Sequence, residues 1–562
     1  MRRMRFVPVL AMLMSIPVSA QDRSQARSMV ISERGIVATS QTLASQAGAQ
    51  VLARGGSAMD AAIAANAALG VVEPESCGMG GDLFAIYWEK KTGTITAINA
   101  SGWAPRALSI EFLKSLGNKE MPQEGIQSVT VPGAVDGWAK LHGKFGKLPW
   151  KDLFQPAIYF AEHGYPVTEI ISAAWKMEEA KLAKDVNASK ILLRNGAAPK
   201  TGEVWRDPQM AAAYRLVAEQ GEGAFYRGTI AKAILKTSDR LGGKMNAADL
   251  SEFQSEWVEP LATDYHGWKV YELPPSGQGI AAIEMLNILS LFPLASYAPR
   301  GIDELHVQME AQKLAYADLH RYVADMRFSK VPVQGMISME YARERAKSID
   351  LAKASECEIQ PGVPPEVASG NTIYLSVVDK DGNIASLIQS LYQHFGSGVV
   401  VDDYGFALQN RGGLFEMDPA HPNALVGRKR PFHTIIPAFM EKGDLHMGFG
   451  IMGGLNQAQA HAQFVSNVVD HGMNIQMALE APRFTKIVFG GCEFSVENRF
   501  APEVIQGLAA KGHKLKVLGD FSNTMGGGQA VIHDAKTGVN YGASDPRKDG
   551  AALPEPAPYF VP

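Results

Sequence analysis

Apolar positions along this chain change their period from one region to the next. From Leu43 to Leu52, and again from Ala58 to Leu69, they recur at helical spacing. Gly55 and Gly56 break the two stretches apart, and Ser57 is placed to cap the second. That second helix is rich in alanine, which predicts close packing against other helices or a sheet. Leu83 to Trp88 and Ile95 to Ile98 read as paired strands across a Lys-Thr-Gly turn. Trp150 to about Arg240 is mainly helical, as is Ile302 to Val323. The pattern then returns to strands, at 372–378, 384–390, Phe432 to Met440, His446 to Ile451 and Gln529 to Ile532. Pro502 to Lys511 reads as a late helix. Strands at both ends with helices between predict an α+β layered body, with no internal repeat and no low-complexity tract.

Composition narrows the class. Of 562 residues, 46% are hydrophobic and 20% charged, which suits a packed globular enzyme. A net charge of −4 argues against nucleic acid as a partner, and the basic run at Arg428 to Arg430 is too short to reverse that. Residues 1–20 read as a signal peptide: Arg2, Arg3 and Arg5, an apolar run from Phe6 to Ile16, then Val18 to Ala20 before a cut. Export to a periplasm or to the outside is expected, with no membrane attachment once the leader is removed; an uncleaved leader would instead act as an anchor. Three cysteines, Cys77, Cys357 and Cys492, make no disulfide framework. Cys77 reads as a packing residue, and Cys357 falls in an exposed stretch. No metal-ligand spacing stands out. Asp379 to Asn383 echoes part of a calcium loop but lacks its distal glutamate, so it reads as a turn.

The chemistry-bearing position is Thr372. The stretch Ala354 to Asn371 is rich in proline, glycine and polar residues, as an exposed and cuttable segment is. A cut after Asn371 would free the α-amine of Thr372, which can act as base to its own hydroxyl. No cofactor or metal is needed for that. Asp379 to Asn383 is a strong hairpin turn. Centred on Asp381, the hairpin sets Val378 opposite Ile384 and Thr372 opposite Ser390, within a cross-strand reach of about 5 Å. The same residues also fit an ordinary hairpin that begins with a threonine.

Around Thr372 the chain carries a series of motifs in order: Gly55-Gly-Ser-Ala-Met-Asp-Ala-Ala62, Cys77-Gly-Met-Gly-Gly81, Leu273-Pro-Pro-Ser-Gly277 and Glu310 to Asp318. The series continues through Thr372 to Asp379, Lys429-Arg-Pro431, Gly453-Gly454 and Gly542 to Arg547. In these motifs and their order the chain resembles the γ-glutamyltransferase (glutathione hydrolase) family of N-terminal nucleophile hydrolases. The resemblance implies a four-layer αββα sandwich built jointly by two subunits of one self-cut precursor. Those would be a large subunit, 21–371, and a small one, 372–562, carrying the nucleophile. It also implies an acyl-enzyme at Thr372, Ser390 as hydroxyl partner, and Gly453 and Gly454 as the oxyanion site. Glycines suit that last role because the backbone can approach the reacting carbonyl.

The amino-acid grip departs from that pattern. Where the family carries an arginine for the glutamyl α-carboxylate stands Ser101. Where it carries an aspartate for the α-amine, after Asn410, stands Leu414. His433 and Thr434 replace two serines, and Tyr392 replaces an asparagine. Arg411 and His433 are then expected as new polar groups in the pocket. Arg411 fits a clamp for a substrate carboxylate and equally a structural ion pair. This pattern resembles the branch near oxamate amidohydrolase and cephalosporin-type acylases. The leading expectation is a self-processing threonine amidohydrolase acting on γ-glutamyl-type amides such as glutathione, by hydrolysis or transpeptidation. The alternatives are an amidase or acylase for another small acid, oxamate-like or glutaryl-like, and a periplasmic binding protein without catalysis.

Overall fold

A computed structural model describes residues 25–365 and 376–559. Two seven-stranded sheets dominate it. In the first, the order is Val30–Ser32, Asn540–Ser544, Gly528–Asp534, Leu445–Ile451, Ala438–Lys442, Trp268–Glu272, Leu261–Tyr265. In the second it is Ala551–Pro554, Ile36–Thr39, Ser376–Val378, Ile384–Ser390, Asp82–Glu89, Thr94–Ala100, Glu256–Val258. Every neighbouring pair in both sheets is antiparallel. Each sheet takes strands from both sides of Thr372, so neither side builds a complete sheet alone.

The sheets pack face to face through a small apolar core that includes Ile36, Trp88, Val378, Ile384, Phe439 and Val531. They approach closely at Gly448. A Cβ there would sit 2.9 Å from Ile384 Cγ2 and 3.1 Å from Ser376 Oγ. The Ser386 hydroxyl bridges the sheets by donating to the Ala438 carbonyl at 3.1 Å. Helices cover both outer faces. Ala58–Val72 lies on the second sheet; Gly279–Leu289 and Asn456–Val469 lie on the first. This is the expected αββα sandwich.

The local signals translate into structure where they are strongest. Ser57 caps Ala58–Val72 and forms a reciprocal capping box with Asp60. All fifteen residues of that helix are buried, as its alanine content predicts. The hairpin pairs Val378 with Ile384 and Ser376 with Ser386. Its turn is organised by the Asp379 carboxylate, which accepts from the Asp381 and Asn383 N–H groups and from Ala58 N–H at 3.0 Å. That last bond ties the hairpin to the start of the buried helix.

Two expectations need correction. The strand read from Phe432 to Met440 begins only at Ala438. Pro431 and Pro437 cannot donate to a ladder. Between them the backbone makes an isolated bridge from His433 to Gly277, and Ile436 N–H donates to Gln457 Oε1 at 2.8 Å. The cysteines are not all unpaired either: Cys357 and Cys492 form a disulfide, with Cα atoms 4.6 Å apart. An odd count conceals a pair when the third cysteine is packed away, as Cys77 is.

Candidate active site

A cleft of about 720 Å³ opens where one strand from each sheet runs out. Ser390 and Tyr392 line it at the end of Ile384–Ser390, and Met452, Gly453 and Gly454 line it beyond Leu445–Ile451. Thr434 completes this part of the wall. Five of the sequence-predicted residues, Ser390, Tyr392, Thr434, Gly453 and Gly454, therefore meet at one cleft. Thr372 and Asn371 lie outside the described residues.

Ser390 is held from two directions. Its Oγ accepts from Tyr392 N–H at 2.8 Å, a local turn that leaves the hydroxyl hydrogen without an acceptor among the described residues. Tyr392 sits at a positive φ of 81° to make that turn. From behind, the Cys77 to Gly81 loop presses on the strand. Gln389 Oε1 accepts from Gly78 N–H at 2.9 Å, and its Nε2 donates to the Gly78 carbonyl. A Cβ on Gly81 would stand 2.5 Å from the Ser390 carbonyl oxygen. This glycine motif is therefore a packing device against the end of the strand.

Gly453 and Gly454 have φ of 129° and 62°, conformations that favour glycine. Their carbonyls point into the start of Asn456–Val469, accepting from Asn456 and Gln457 N–H. Among the described residues neither glycine N–H has an acceptor, as donors reserved for a reacting oxygen require. Two supports hold this turn. Gln278 Nε2 donates to the Thr434 carbonyl and, at 2.8 Å, to that of Gly454. The Gly526–Gly527 backbone seats on Met452, whose N–H donates to the Gly527 carbonyl at 3.1 Å. Gln278 carried no sequence signal, because its role depends on two segments more than a hundred residues away.

The remaining predicted residues lie behind this wall. Arg411 is fully buried. Its Nη1 donates to Thr434 Oγ1 at 2.7 Å, its Nε lies 3.8 Å from Asp82 Oδ2, and its guanidinium is 4.8 Å from the Tyr392 ring centre. Burial pulls its pKa down to about 10, against the opposing pull of Asp82. His433 is equally buried; its Nε2 donates to Asp82 Oδ2 at 2.8 Å and its Nδ1 accepts from Ile435 N–H at 3.4 Å. That pattern fits a neutral imidazole. Burial and the Arg411 charge lower its pKa to about 4, outweighing Asp82. The expectation of Arg411 and His433 as pocket groups is thus corrected: neither lines the cleft, and Arg411 lies against Tyr392 and Thr434, which do.

Asp82, which pairs with Ser390 across the strands, organises this inner layer and was not singled out in the sequence. It also accepts from Gly102 N–H and Gln409 Nε2, at 2.9 and 2.8 Å. Ser101 is buried away from the cleft, with its N–H on Asn99 and its carbonyl accepting from Arg430 Nε. Asn410 holds the turn after Ser390, donating to Gln123 O and Gln393 Oε1. Leu414 packs with the apolar core and accepts an Asn423 bond at its carbonyl. Cys77 borders the cleft, but burial beside Glu73 and Glu75 pushes its thiol pKa well up, so it stays protonated.

Cations do reach the cleft from elsewhere. Lys548 Nζ is 3.8 Å from Glu73 Oε1, and Lys181 pairs with Glu178 at 2.7 Å. Among the described residues, metal-type side chains gather in two places outside the cleft lining, His306/Glu310/His513 and His320/Glu416/His421. In the first, Lys313 Nζ already holds Glu310 at 2.7 Å, and in the second His421 Nδ1 accepts from Asn423 N–H.

The family model for γ-glutamyltranspeptidase matches residues 44–555. The chain belongs to the γ-glutamyltranspeptidase family. Its relatives within the family are named as hydrolases and transpeptidases, and it is an enzyme of that N-terminal nucleophile class. It is 35% identical to a glutathione hydrolase-like proenzyme of Bacillus subtilis over 93% of this chain and 99% of that one. It is also 35% identical to the oxamate amidohydrolase proenzyme of Klebsiella pneumoniae, over 93% and 98%. Among solved structures, the cephalosporin acylase of Bacillus halodurans superposes with a TM-score of 0.88 at 42% identity, covering 97% of this chain and 99% of that one. Among the described residues, no helix is long and apolar enough to cross a membrane.

Proposed function

We propose that this protein is an exported, self-processing threonine amidohydrolase whose substrate is an amide of a small acid lacking the α-amino-acid head group. Cleavage between Asn371 and Thr372 would yield a large piece, 21–371, and a small piece, 372–562. The hairpin register supports the nucleophile's position. Ser376 pairs with Ser386, and the same register carried four residues further would put Thr372 opposite Ser390. The freed α-amine takes the hydroxyl proton as Thr372 Oγ1 attacks the amide carbonyl. The Gly453 and Gly454 N–H groups receive the oxyanion. The proton passes to the leaving amine, and water or an acceptor amine then releases the acyl group.

One observation supports the choice of acid: the Arg411 guanidinium is fully buried against Tyr392 and Thr434 and does not line the cleft. Arg411 therefore does not replace the family arginine whose position Ser101 occupies, and Leu414 offers no charge for an α-amine. Each missing charged hydrogen bond is worth about 1.5–3 kcal/mol. Losing two lowers kcat/KM for γ-glutamyl donors by roughly a hundredfold to ten-thousandfold. The names of the oxamate amidohydrolase and cephalosporin acylase relatives support an acid other than glutamate, and the glutathione hydrolase-like relative keeps γ-glutamyl amides in the test. The experiment is a panel of glutathione, a γ-glutamyl anilide, a glutaryl amide and oxamate, run on processed protein. Preference for an acid without the α-amine supports the proposal; glutathione turnover at the efficiency of a typical glutathione hydrolase overturns it.

A further inference from the structure

The Cys357–Cys492 disulfide spans 135 residues, and its two halves lie on opposite sides of Thr372. Both flanks are anchored. Ala354 N–H donates to the Lys511 carbonyl at 2.6 Å and Ser355 N–H to Glu310 Oε2 at 3.2 Å. Gly362 N–H donates to Asp318 Oδ1 at 2.6 Å, while Tyr322 donates to the Gly362 carbonyl. The stretch 354–362 is thus strapped along the helix Ile302–Tyr322. Cys492 ends a loop whose stem, Lys486, exchanges hydrogen bonds with the Gln459 side chain. Within that loop Phe489 packs on Phe432 and His320, and Ile487, half exposed, borders the substrate cleft.

We propose that this disulfide is a covalent tie between the two pieces of the processed enzyme, fastening the end region of the large piece to the loop at the rim of the cleft. The inference rests on the self-processing reading above. In an uncut chain the bond closes a loop. After a cut between residues 371 and 372 it joins two polypeptides that otherwise hold together only by non-covalent contacts, the shared sheet ladders among them. Its formation removes one hydrogen from each thiol; the two electrons and two protons go to a disulfide oxidant, which leaves as a dithiol. A small dithiol reverses the exchange, ending as its own disulfide and returning two cysteine thiols. Cys77 does not compete, because its thiol is buried against the Glu73 carbonyl. Persistence of the bond suits an oxidising compartment, which the leader-like residues 1–20 independently predict.

The tie changes how the enzyme comes apart. With the disulfide intact, dissociation into two pieces is impossible, so the thermal midpoint is independent of protein concentration. Once it is reduced, the pieces separate by mass action and the midpoint falls on dilution. The deciding experiment is denaturing electrophoresis of full-length expressed protein, alkylated to prevent exchange, with and without dithiothreitol. One band without reductant that resolves into two with it is the expected result. Cys357→Ser and Cys492→Ser should each show two bands without reductant, whereas Cys77→Ser should keep one. Two bands from unreduced wild-type protein overturn the tie. One band under both conditions refutes self-processing instead. The disulfide is then read separately, from thiols labelled in unreduced, unfolded protein: one labelled cysteine upholds the bond and three overturn it.

Discussion

Gly81→Ala isolates the geometry that the site depends on. The new methyl carbon would stand 2.5 Å from the Ser390 carbonyl oxygen and 2.9 Å from its carbon. Ordinary contact begins near 3.4 Å, so one side must give by about 0.9 Å. Gly81 is not free to retreat: its carbonyl accepts from both Gly133 and Ala134 N–H at 3.0 Å. Its φ lies in the ordinary range, so the perturbation is steric rather than conformational. The displacement therefore falls on Ser390, the proposed hydroxyl partner of the nucleophile. Overpacking of this kind costs about 1–3 kcal/mol of stability. A misplacement near 1 Å costs about a hundredfold in rate. Purified Gly81→Ala should remain folded, with a thermal midpoint lowered by only about 1–3 °C in a chain of this length, while kcat falls by about two orders of magnitude and self-cleavage slows in parallel. A folded variant with wild-type kcat and prompt cleavage would refute the placement of Ser390 in the chemistry.

Thr372→Ala should abolish both cleavage and turnover, and Thr372→Ser should retain part of each; turnover by the alanine variant, measured on protein free of contaminating amidase, points to a different nucleophile. Arg411→Ala should lower stability by about 3 kcal/mol, near the lower end for a broken buried pair because Asp82 keeps His433, Gly102 and Gln409 as donors. Urea unfolding reads that loss, and KM should change equally for neutral and anionic substrates; a rise confined to anionic ones would restore Arg411 to the pocket. Acid should destabilise the fold through His433. Its pKa is lowered to about 4 in the folded protein, so between pH 6.5 and 4 the unfolded chain binds the extra proton. Stability is therefore fully present above pH 6.5 and lost as pH falls towards 4, by about 3 kcal/mol for this one group. The pH dependence of the unfolding midpoint should flatten in His433→Gln, and an unchanged acid limb would contradict the assignment.

What was readable in the sequence was local. The Asp-Gly turn set the register of Val378 on Ile384, and Ser57 with Asp60 marked a helix start, because both signals act within a few residues. Ser390, Gly453 and Gly454 could be brought to one cleft only through the family resemblance, since 63 residues separate Ser390 from Gly453. Depth was not readable at all. Arg411 sits between two residues that do line the cleft, and only the packing of Tyr392 across its guanidinium decides which side of the wall it occupies. Asp82 precedes the strand read from Leu83 and carried no signal of its own, yet it collects donors from three separate segments, at Gly102, Gln409 and His433. The edge strands Val30–Ser32 and Leu261–Tyr265 were missed because short, half-exposed segments carry little periodicity.

The central claim is that a cut frees Thr372 to act as the nucleophile. Intact mass and amino-terminal sequence of the reduced, active protein test it most directly. The account predicts two polypeptides, the smaller beginning Thr372-Ile-Tyr-Leu and the larger ending at Asn371. A single unbroken chain with full amidase activity would contradict it.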